Sequence, residues 1–279
     1  MAVHHLLGIS GGKDSAALAI YMSINHPELD IEYFFTDTGK ELPEVYDFLG
    51  QLEGYLGKPI KYLNPTKDFD FWLKTFNNFL PSPQTRWCTR VMKLVPFQQW
   101  VRPLLNAGDE VYSYVALRAD ETDRLGMSDS HPNLHIKFPF KEDGIDKAGV
   151  FEILESVGIG LPKYYEWRTH SGCTFCFFQQ KIEWVHLYER HPDCFREAME
   201  YEKVAVESGS PFTWSQGESL NDLIKPKRIQ QIKADFEKRK ARELKRRRQN
   251  PLRIGLEYLD MDDIFDVDEG NGSCTVCTK

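Results

Sequence analysis

The chain has 279 residues, of which 41% are hydrophobic and 28% are charged, and its formal net charge is −7. This length and composition allow one large buried core, alone or with an appended segment. The absence of an apolar run of about 18 residues excludes a membrane-spanning helix. The first residues lack the basic start and apolar stretch of a secretory signal, so a cytoplasmic protein is expected. Six cysteines are too sparse for a disulfide scaffold.

Positive charge is concentrated near the C-terminal end. Residues 225–248 contain twelve Lys or Arg and three acidic residues, so this segment carries +9 and the rest of the chain carries −16. Ile229, Ile232, Phe236 and Leu244 recur on one face, which predicts a basic amphipathic helix docked by its apolar stripe. Such a segment on an acidic protein favours a polyanionic partner, in particular nucleic acid. The alternative is a solvated face covered by the acidic tail.

Strand and helix patterns alternate along the first third of the chain. Strands are predicted at 3–9, 31–36, 60–63 and 110–117, and helices at 15–24, 43–55, 70–79 and 91–105. This alternation favours an α/β fold with an open, mostly parallel twisted sheet and helices on both faces. Helices predicted at 147–157, 182–189 and 193–208 make the C-terminal part mainly helical.

A glycine-rich turn separates the first strand from the first helix. It consists of Ser10, Gly11, Gly12, Lys13, Asp14 and Ser15. Glycines let the backbone approach an anion, and the amides and dipole of a helix N-terminus favour negative charge. Lys13 adds an ammonium group and the two serines add hydroxyl donors, while Asp14 either caps the helix or holds Mg²⁺ through water. The turn predicts a phosphate site that is not a Walker A loop, with Lys13, Ser10 and Asp14 as catalytic residues.

This turn resembles the PP-loop of the ATP pyrophosphatases, a superfamily that includes adenylyl-transferring thiolation enzymes and the phosphoadenosine-phosphosulfate (PAPS) reductases. Residues 36–44, 86–93 and 118–124 resemble further motifs of the PAPS-reductase branch, in the same order. The resemblance covers roughly residues 3–215. It implies an adenine nucleotide alpha hydrolase-like fold and an enzyme that cleaves ATP, bound with Mg²⁺, between the α- and β-phosphates.

Five residues outside the turn are expected to bind the nucleotide. They are Asp37, Thr38, Arg118, Asp120 and Arg124. Asp37 and Thr38 follow the second strand, where ligands bind in open α/β sheets. Arginines clamp phosphates through two parallel hydrogen bonds. The alternatives are a turn cap for Asp37 and surface ion pairs for the arginines.

Four cysteines are candidate metal ligands: Cys88, Cys173, Cys176 and Cys194, with a tail cysteine as the alternative to Cys194. A C-x-x-C pair grips a metal ion or cluster through two thiolates, which suits a [4Fe–4S] cluster or Zn²⁺. The resemblance favours iron–sulfur, since several sulfur-handling relatives carry such clusters. Inert buried thiols and a redox or persulfide-carrying pair are the alternatives. Cys274 and Cys277 form a second pair, which a mobile tail would bring to the nucleotide.

Four segments follow from these patterns: a PP-loop nucleotide-binding α/β domain at 1–145, a cysteine-containing helical region at 146–223, the basic helix at 224–250, and an acidic tail at 251–279 that ends in C-x-x-C.

The chain also resembles the DNA phosphorothioation proteins of the DndC and SspD type. That resemblance implies an ATP pyrophosphatase that activates a nucleic acid, DNA rather than tRNA, for sulfur incorporation, with a cysteine desulfurase or sulfur carrier as partner. A PAPS/APS reductase-like sulfonucleotide reductase and a tRNA thiolation enzyme are the alternatives. The tail lacks the Glu-Cys-Gly-Leu-His-like end of PAPS reductases, and no Cys-Cys pair is present, which count against the reductase. A nucleic-acid-binding module with a degenerate pocket is disfavoured by the intact loop.

Overall fold

The computed structural model describes residues 1–122, 124, 131–169, 172–210, 212–215, 217–249 and 264. These residues form two compact units. The first contains residues 1–69 and 86–163, and the second contains residues 70–85, 164–249 and 264. The predicted acidic tail, including Cys274 and Cys277, lies outside the described residues apart from Ile264. The domain borders expected from the sequence stay predictions.

A five-stranded parallel sheet forms the centre of the first unit, in the order β3-β2-β1-β4-β5. Its strands are β1 (Val3–Gly8), β2 (Ile31–Phe35), β3 (Ile60–Tyr62), β4 (Glu110–Tyr114) and β5 (Leu134–Lys137). The predicted α/β fold with a parallel sheet is confirmed, although β5 gave no recognised signal in the sequence. Leu6 and Leu7 point to opposite faces of β1 and both are fully buried, so both faces of the sheet are covered.

The helices of the first unit are α1 (Lys13–Asn25), α2 (Pro43–Leu56), α4 (Trp87–Thr89), α5 (Val95–Asn106), α6 (Pro139–Glu142) and α7 (Lys147–Ser156). The helix α3 (Phe69–Thr75) begins in the first unit and continues in the second. One core cluster joins Leu6, Phe34 and Val111 of the sheet to Phe97 and Val101 of α5. The rings of Phe34 and Phe97 stack at 5.1 Å. Helix α5 therefore packs on the face of the sheet that Leu6 occupies.

The helix predicted over 91–105 begins earlier and is not uniform. Residues Arg90–Leu94, between α4 and α5, form a π-helical segment in which Val95 N–H bonds to the Arg90 carbonyl, five residues back. Pro96 follows directly and has no N–H to donate. In a regular helix its ring would clash with the carbonyl four residues earlier, and the wider turn avoids that clash.

The second unit is mainly helical, as expected. It contains a 3₁₀ segment (Lys163–Glu166, from Tyr164 onward), α8 (Lys181–Arg190), α9 (Pro192–Glu207), α10 (Leu220–Leu223) and α11 (Pro226–Gln249). Helix α3 is shorter than the predicted 70–79, because Asn77 and Asn78 take left-handed φ angles of 53° and 58° that end it. None of the described helices has the length together with the hydropathy that a bilayer span requires.

The basic helix α11 docks through the first half of its apolar stripe. Ile232 is buried, Ile229 and Phe236 are half-buried, and Leu244 is 39% exposed. The ring of Phe236 contacts the edge of His186 on α8. The predicted stripe is therefore correct up to Phe236, whereas Leu244 is exposed.

The packing of His186 against α11 predicts a pH dependence of stability. Burial lowers the pKa of His186 below its ordinary value of 6.5, although a hydrogen bond to the Trp167 carbonyl (3.2 Å) opposes the shift. Because the unfolded chain binds this proton first, the contribution of His186 to stability is complete above about pH 6.5 and is lost as the pH falls below it. His186→Gln should therefore lose less stability between pH 7 and pH 5 than the wild type, as measured by urea unfolding. His26→Gln, at a side chain 40% exposed, is the control; equal pH slopes for wild type and His186→Gln would contradict the expectation.

Candidate active site

The turn after β1 is held close to the neighbouring strand. The amide of Ile9 donates to the Phe34 carbonyl at 2.7 Å, which continues the pairing of β1 with β2. A Cβ on Gly8 would lie 3.0 Å from the ring of Phe34. The backbone therefore leaves the sheet at a place where a side chain would be crowded.

Gly11 is the residue of this turn that no other type replaces without strain. Its φ is +77°, and a Cβ built on it would lie 2.6 Å from Cγ1 of Val45 on α2. Val45 is fully buried, so a shift of its side chain would disturb the packing around it. Both the left-handed conformation and the contact with α2 thus require glycine.

The two serines of the turn bond to the turn itself. The Ser10 amide donates to Ser15 Oγ at 3.0 Å, and the two hydroxyl oxygens lie 2.9 Å apart. Ser10 Oγ also accepts from the Gly12 amide at 3.3 Å, and Ser15 Oγ donates to the Gly12 carbonyl at 3.2 Å. These bonds preorganise the N-terminus of α1, and an entering anion would compete with Ser10 Oγ for the Gly12 amide.

Asp14 does not cap the helix. The N-cap of α1 is Gly12, without a side-chain cap, and Asp14 lies in the first turn. Asp14 Oδ1 accepts a hydrogen bond of 2.9 Å from Nη1 of Arg118, and Oδ2 lies 4.0 Å from Lys13 Nζ. Lys13 is 2% exposed. The capping alternative is wrong, and Asp14 instead lies between two cationic side chains.

Arg118 lies between two carboxylates. Its Nε and Nη2 donate to the two oxygens of Asp120 at 2.9 and 3.2 Å, in addition to the bond to Asp14. Burial by itself would lower the pKa of Arg118, but the charges of Asp14 and Asp120 outweigh it and raise the pKa. Burial would raise the pKa of Asp120, and the bonded guanidinium reverses this and lowers it. Arg118 is therefore charged and fixed in orientation.

Arg124 and Asp37 make the contacts that the alternatives predicted, and their roles in nucleotide binding stay predictions. Arg124 forms an ion pair with Glu121. Asp37 Oδ1 accepts from the Gly39 amide at 2.8 Å and from the Tyr46 hydroxyl at 2.9 Å. Asp37 thus caps the turn after β2.

Thr38 contacts a buried ion pair between Glu41 and Lys93, which the sequence analysis did not name as a site. Its hydroxyl donates to Glu41 Oε1 at 2.9 Å. The same oxygen lies 3.8 Å from Nζ of Lys93, and the side chains of Glu41 and Lys93 are only 1% and 11% exposed. The resemblance of residues 86–93 to a family motif was the signal that contained Lys93.

A cleft with an empty volume of about 620 Å³ opens beside the turn. Its walls come from the ends of β1, β2 and β4, from α5 and from the π-helical segment before it, and they include Gly8, Ser10, Phe34, Thr36, Lys93, Phe97, Ser113 and Tyr114. Lys93 is the one charged residue among the described residues that line it. The strand order reverses between β1 and β4, which is where open α/β sheets bind ligands.

The four candidate metal ligands are distributed over both units. Cys88 lies in α4 of the first unit, whereas Cys173, Cys176 and Cys194 lie in the second. Across the described parts of the chain, no three His, Cys, Asp or Glu side chains form a group that would hold a metal ion. The complete ligand set therefore stays a prediction.

The first part of the chain is similar to a known protein family. Residues 4–126 match the family described as the phosphoadenosine phosphosulfate reductase domain, as the motifs predicted. Two uncharacterized proteins of Methanocaldococcus jannaschii are both 31% identical to the chain. One match covers 133 residues, 47% of this chain and 26% of the relative. The other covers 194 residues, 67% of this chain and 45% of the relative. The chain thus spans less than half the length of these relatives.

Among solved structures, the phosphate complex of phosphoadenylyl-sulfate (PAPS) reductase from Candida auris is similar, with a TM-score of 0.47 and 13% sequence identity. The match covers 62% of this chain and 81% of the reductase chain.

Gly11→Ala tests whether the turn depends on this glycine. The substitution adds left-handed strain and a clash with Val45, and we expect a loss of about 2–4 kcal/mol of unfolding free energy, by denaturant titration. Gly57→Ala is the matched control, because Gly57 has a φ of +62° and no heavy atom within 4 Å of an added Cβ. It should lose about 1 kcal/mol. Equal losses for the two variants would show that the contact with Val45 is unimportant.

Proposed function

We propose that the protein cleaves ATP between the α- and β-phosphates, on the basis that residues 4–126 match the family described as the phosphoadenosine phosphosulfate reductase domain. The cleavage activates a nucleic acid, DNA in the first instance, for sulfur incorporation. The observation that carries the proposal is the preorganised turn Ser10–Ser15 with the buried Lys13 at the start of α1. A cysteine desulfurase or a sulfur carrier would supply the sulfur.

The turn supplies hydrogen-bond donors and positive charge that would stabilise diphosphate as an anionic leaving group. The first amides of α1 and its dipole favour negative charge at this position. Lys13 is held in a dry environment, where its charge acts more strongly than in water. Arg118, with its orientation set by Asp14 and Asp120, would exchange part of this pairing for phosphate oxygens. The protein contributes electrostatics and positioning, with no covalent step of its own.

Asp14 is the residue of this site that would hold Mg²⁺. Its carboxylate is 28% exposed beside the turn, and carboxylate oxygen is a ligand that Mg²⁺ prefers. The ion would neutralise charge on the departing diphosphate. Binding of the metal and ATP would compete with Arg118 for Asp14.

The cleft suits the nucleoside. Phe34, Phe97 and Tyr114 supply apolar and aromatic surface, and Ser113 supplies a polar group, a composition typical of small-molecule pockets. Lys93, compensated by Glu41, would face the sugar–phosphate part of the ligand.

Helix α11 supports a nucleic-acid partner. Lys238, Arg242, Lys245 and Arg246 are exposed on its second half, beyond the docked part of the stripe. Phosphate contacts by such residues give affinity that falls steeply with salt. The proposal also includes a thiolate-bound centre at the cysteines, [4Fe–4S] or Zn²⁺, on which no step of ATP cleavage depends.

A sulfonucleotide reductase is the second candidate, and the family match of residues 4–126 favours it. The two candidates differ in product. Incubation with ATP and duplex DNA or tRNA, followed by mass spectrometry, would reveal adenylylated acceptor and pyrophosphate. Incubation with PAPS and thioredoxin would release sulfite if the protein is a reductase. Sulfite formation without pyrophosphate release would replace the first proposal by the second.

Lys13→Ala and Ser10→Ala test the role of the turn. Each removes one preorganised donor, and we expect pyrophosphate release to fall by a factor of about 10²–10³. Lys163→Ala, at an exposed lysine of the same unit, should keep wild-type activity. Near-normal rates for both turn variants would rule out pyrophosphate chemistry at this site.

The triple variant Lys238→Gln, Arg242→Gln, Lys245→Gln tests the interaction with nucleic acid. We expect weaker binding to duplex DNA and a smaller slope of log affinity against log salt, by about 0.9 for each phosphate that the variant no longer neutralises. Fluorescence anisotropy over a salt series measures both. The control changes three exposed lysines elsewhere, Lys74, Lys163 and Lys203, and so alters net charge equally. If both triple variants bind alike, α11 is a solvated face and not the DNA-binding surface.

A further inference from the structure

A second cavity lies in the first unit, next to the cleft that is proposed to bind ATP. It is a groove with an empty volume of about 800 Å³, and it runs along α5 toward the start of β5. Leu94 and Phe97 line both the groove and the cleft, so the two cavities adjoin. A ligand of the groove would therefore lie beside a ligand of the cleft.

One side of the groove is apolar. It is formed by side chains that recur every three or four positions along α5 and the residue before it, which are Leu94, Phe97, Val101 and Leu105. This spacing places them on one face of the helix. Leu134, at the start of β5, also lines the groove. Leu94 and Leu105 are only half-buried, so this side offers apolar surface to a ligand.

The other side of the groove carries a row of polar groups. Gln98, Arg102 and Asn106 are spaced four residues apart on α5, and all three are exposed. They therefore follow one another along one face of the helix. None of these side chains makes a hydrogen bond or an ion pair with another residue of the described chain. Arg102 carries the one permanent charge among the described residues of the lining, which include no carboxylate, and this favours an anionic ligand.

His131 adds a hydrogen-bond donor at the end of the groove near β5. Its Nδ1 accepts from the Asn133 amide at 3.2 Å, so the proton of the neutral ring lies on Nε2. The Leu134 amide donates to the His131 carbonyl at 3.0 Å and closes the turn that carries the ring. The groove thus combines donors from α5 and from this turn with an apolar side.

We propose that the groove binds one unpaired nucleotide of the nucleic-acid acceptor, with its base against the apolar side and its phosphate at Arg102. A duplex has charged phosphates on its outside and base faces that stack on one another, so it offers little to Leu94 and Leu105. An unpaired base exposes its faces and its polar edges. The amides of Gln98 and Asn106 are groups that bond to such edges. The inference rests on the proposed function, for which it names the acceptor site.

Gln98→Trp tests the inference by filling the groove. The indole takes the space of the ligand, and the exposed position leaves the buried face of α5 unchanged. We expect the affinity for a fluorescent single-stranded DNA of about 12 nucleotides to fall about tenfold or more, as for the loss of one well-held base. Gln99→Trp is the matched control, because Gln99 is exposed on the same helix and is not among the residues that line the groove. It should bind like the wild type.

Arg102→Gln tests the position of the phosphate. We expect weaker binding and a slope of log affinity against log salt that is smaller by about 0.7, the value for one phosphate of a single strand. Arg196→Gln removes the same charge from an arginine whose side chain is 73% exposed in the second unit. It should leave the slope unchanged.

Both measurements use fluorescence anisotropy of the full chain without ATP. In parallel, the single strand carries iododeoxyuridine, and mass spectrometry maps its photo-crosslinks. Crosslinks on α5, together with weaker binding by Gln98→Trp and Arg102→Gln, support the inference. Equal affinity of Gln98→Trp and Gln99→Trp overturns it, as does a wild type that binds no single strand. An unchanged salt slope in Arg102→Gln overturns the position of the phosphate.

Duplex DNA of the same sequence tests whether the nucleotide must be unpaired. If Gln98→Trp weakens duplex and single-strand binding equally, the unpaired state is wrong. The results also separate the groove from ATP cleavage. Groove binding in a protein that releases no pyrophosphate would refute the ATP proposal alone, whereas pyrophosphate release with unaltered binding in Gln98→Trp would refute the groove alone.

Discussion

The central position of β1 in the parallel sheet is the constraint on which the candidate site depends. β1 pairs with β2 on one side and β4 on the other, and both of its faces are buried. Because both sides and both faces of β1 are occupied, the chain continues beyond the carboxyl edge of the sheet and turns directly into α1. The amides at the start of that helix are turned toward the edge because the turn is so short. This geometry supports the proposed anion site before any charged side chain is considered.

At that edge of the sheet, carboxylate side chains lie next to the cationic side chains and fix their orientation. Asp14 and Asp120 hold Arg118, and Glu41 lies by Lys93. In each case the acid offsets the cost of a partly or fully buried positive charge. The arrangement keeps cationic groups in place before a polyanion arrives, so that little reorganisation is needed when it binds.

The second unit shows the difference between a satisfied and an unsatisfied buried charge. Glu202 is 5% exposed and accepts from the Trp214 amide at 3.0 Å and the Leu220 amide at 2.7 Å. Its pKa is raised by burial, against the effect of these bonds, yet its hydrogen bonds are made. It ties α9 to the segment that leads into α10. Arg168, by contrast, has one such bond for its three nitrogen atoms within the described part of the chain.

The parallel sheet, the phosphate turn and the basic helix were predictable from the sequence because each depends on local pattern. Strand and helix periodicities alternate, the glycines and Lys13 are contiguous, and the apolar positions of α11 recur within a few residues. The strand β5 was not predicted, since four residues beside a turn carry too little pattern. The π-helical segment Arg90–Leu94 was not predicted, and its signal in the sequence is Pro96, which lies inside the predicted helix 91–105.

Side-chain partners were decided by the tertiary structure. Asp14 reaches Arg118 across 104 positions of the chain, and Val45 of α2 makes Gly11 indispensable. Residue types alone could not distinguish a cap from an ion pair at Asp14, or a ligand from a turn cap at Asp37, because these roles use the same chemical groups. The sequence by itself determined most of the strands and helices and the turn at which an anion is proposed to bind. Only the packing of those elements decided which charges meet, since Coulomb and hydrogen-bond energies depend on distances that residues far apart in the chain acquire on folding.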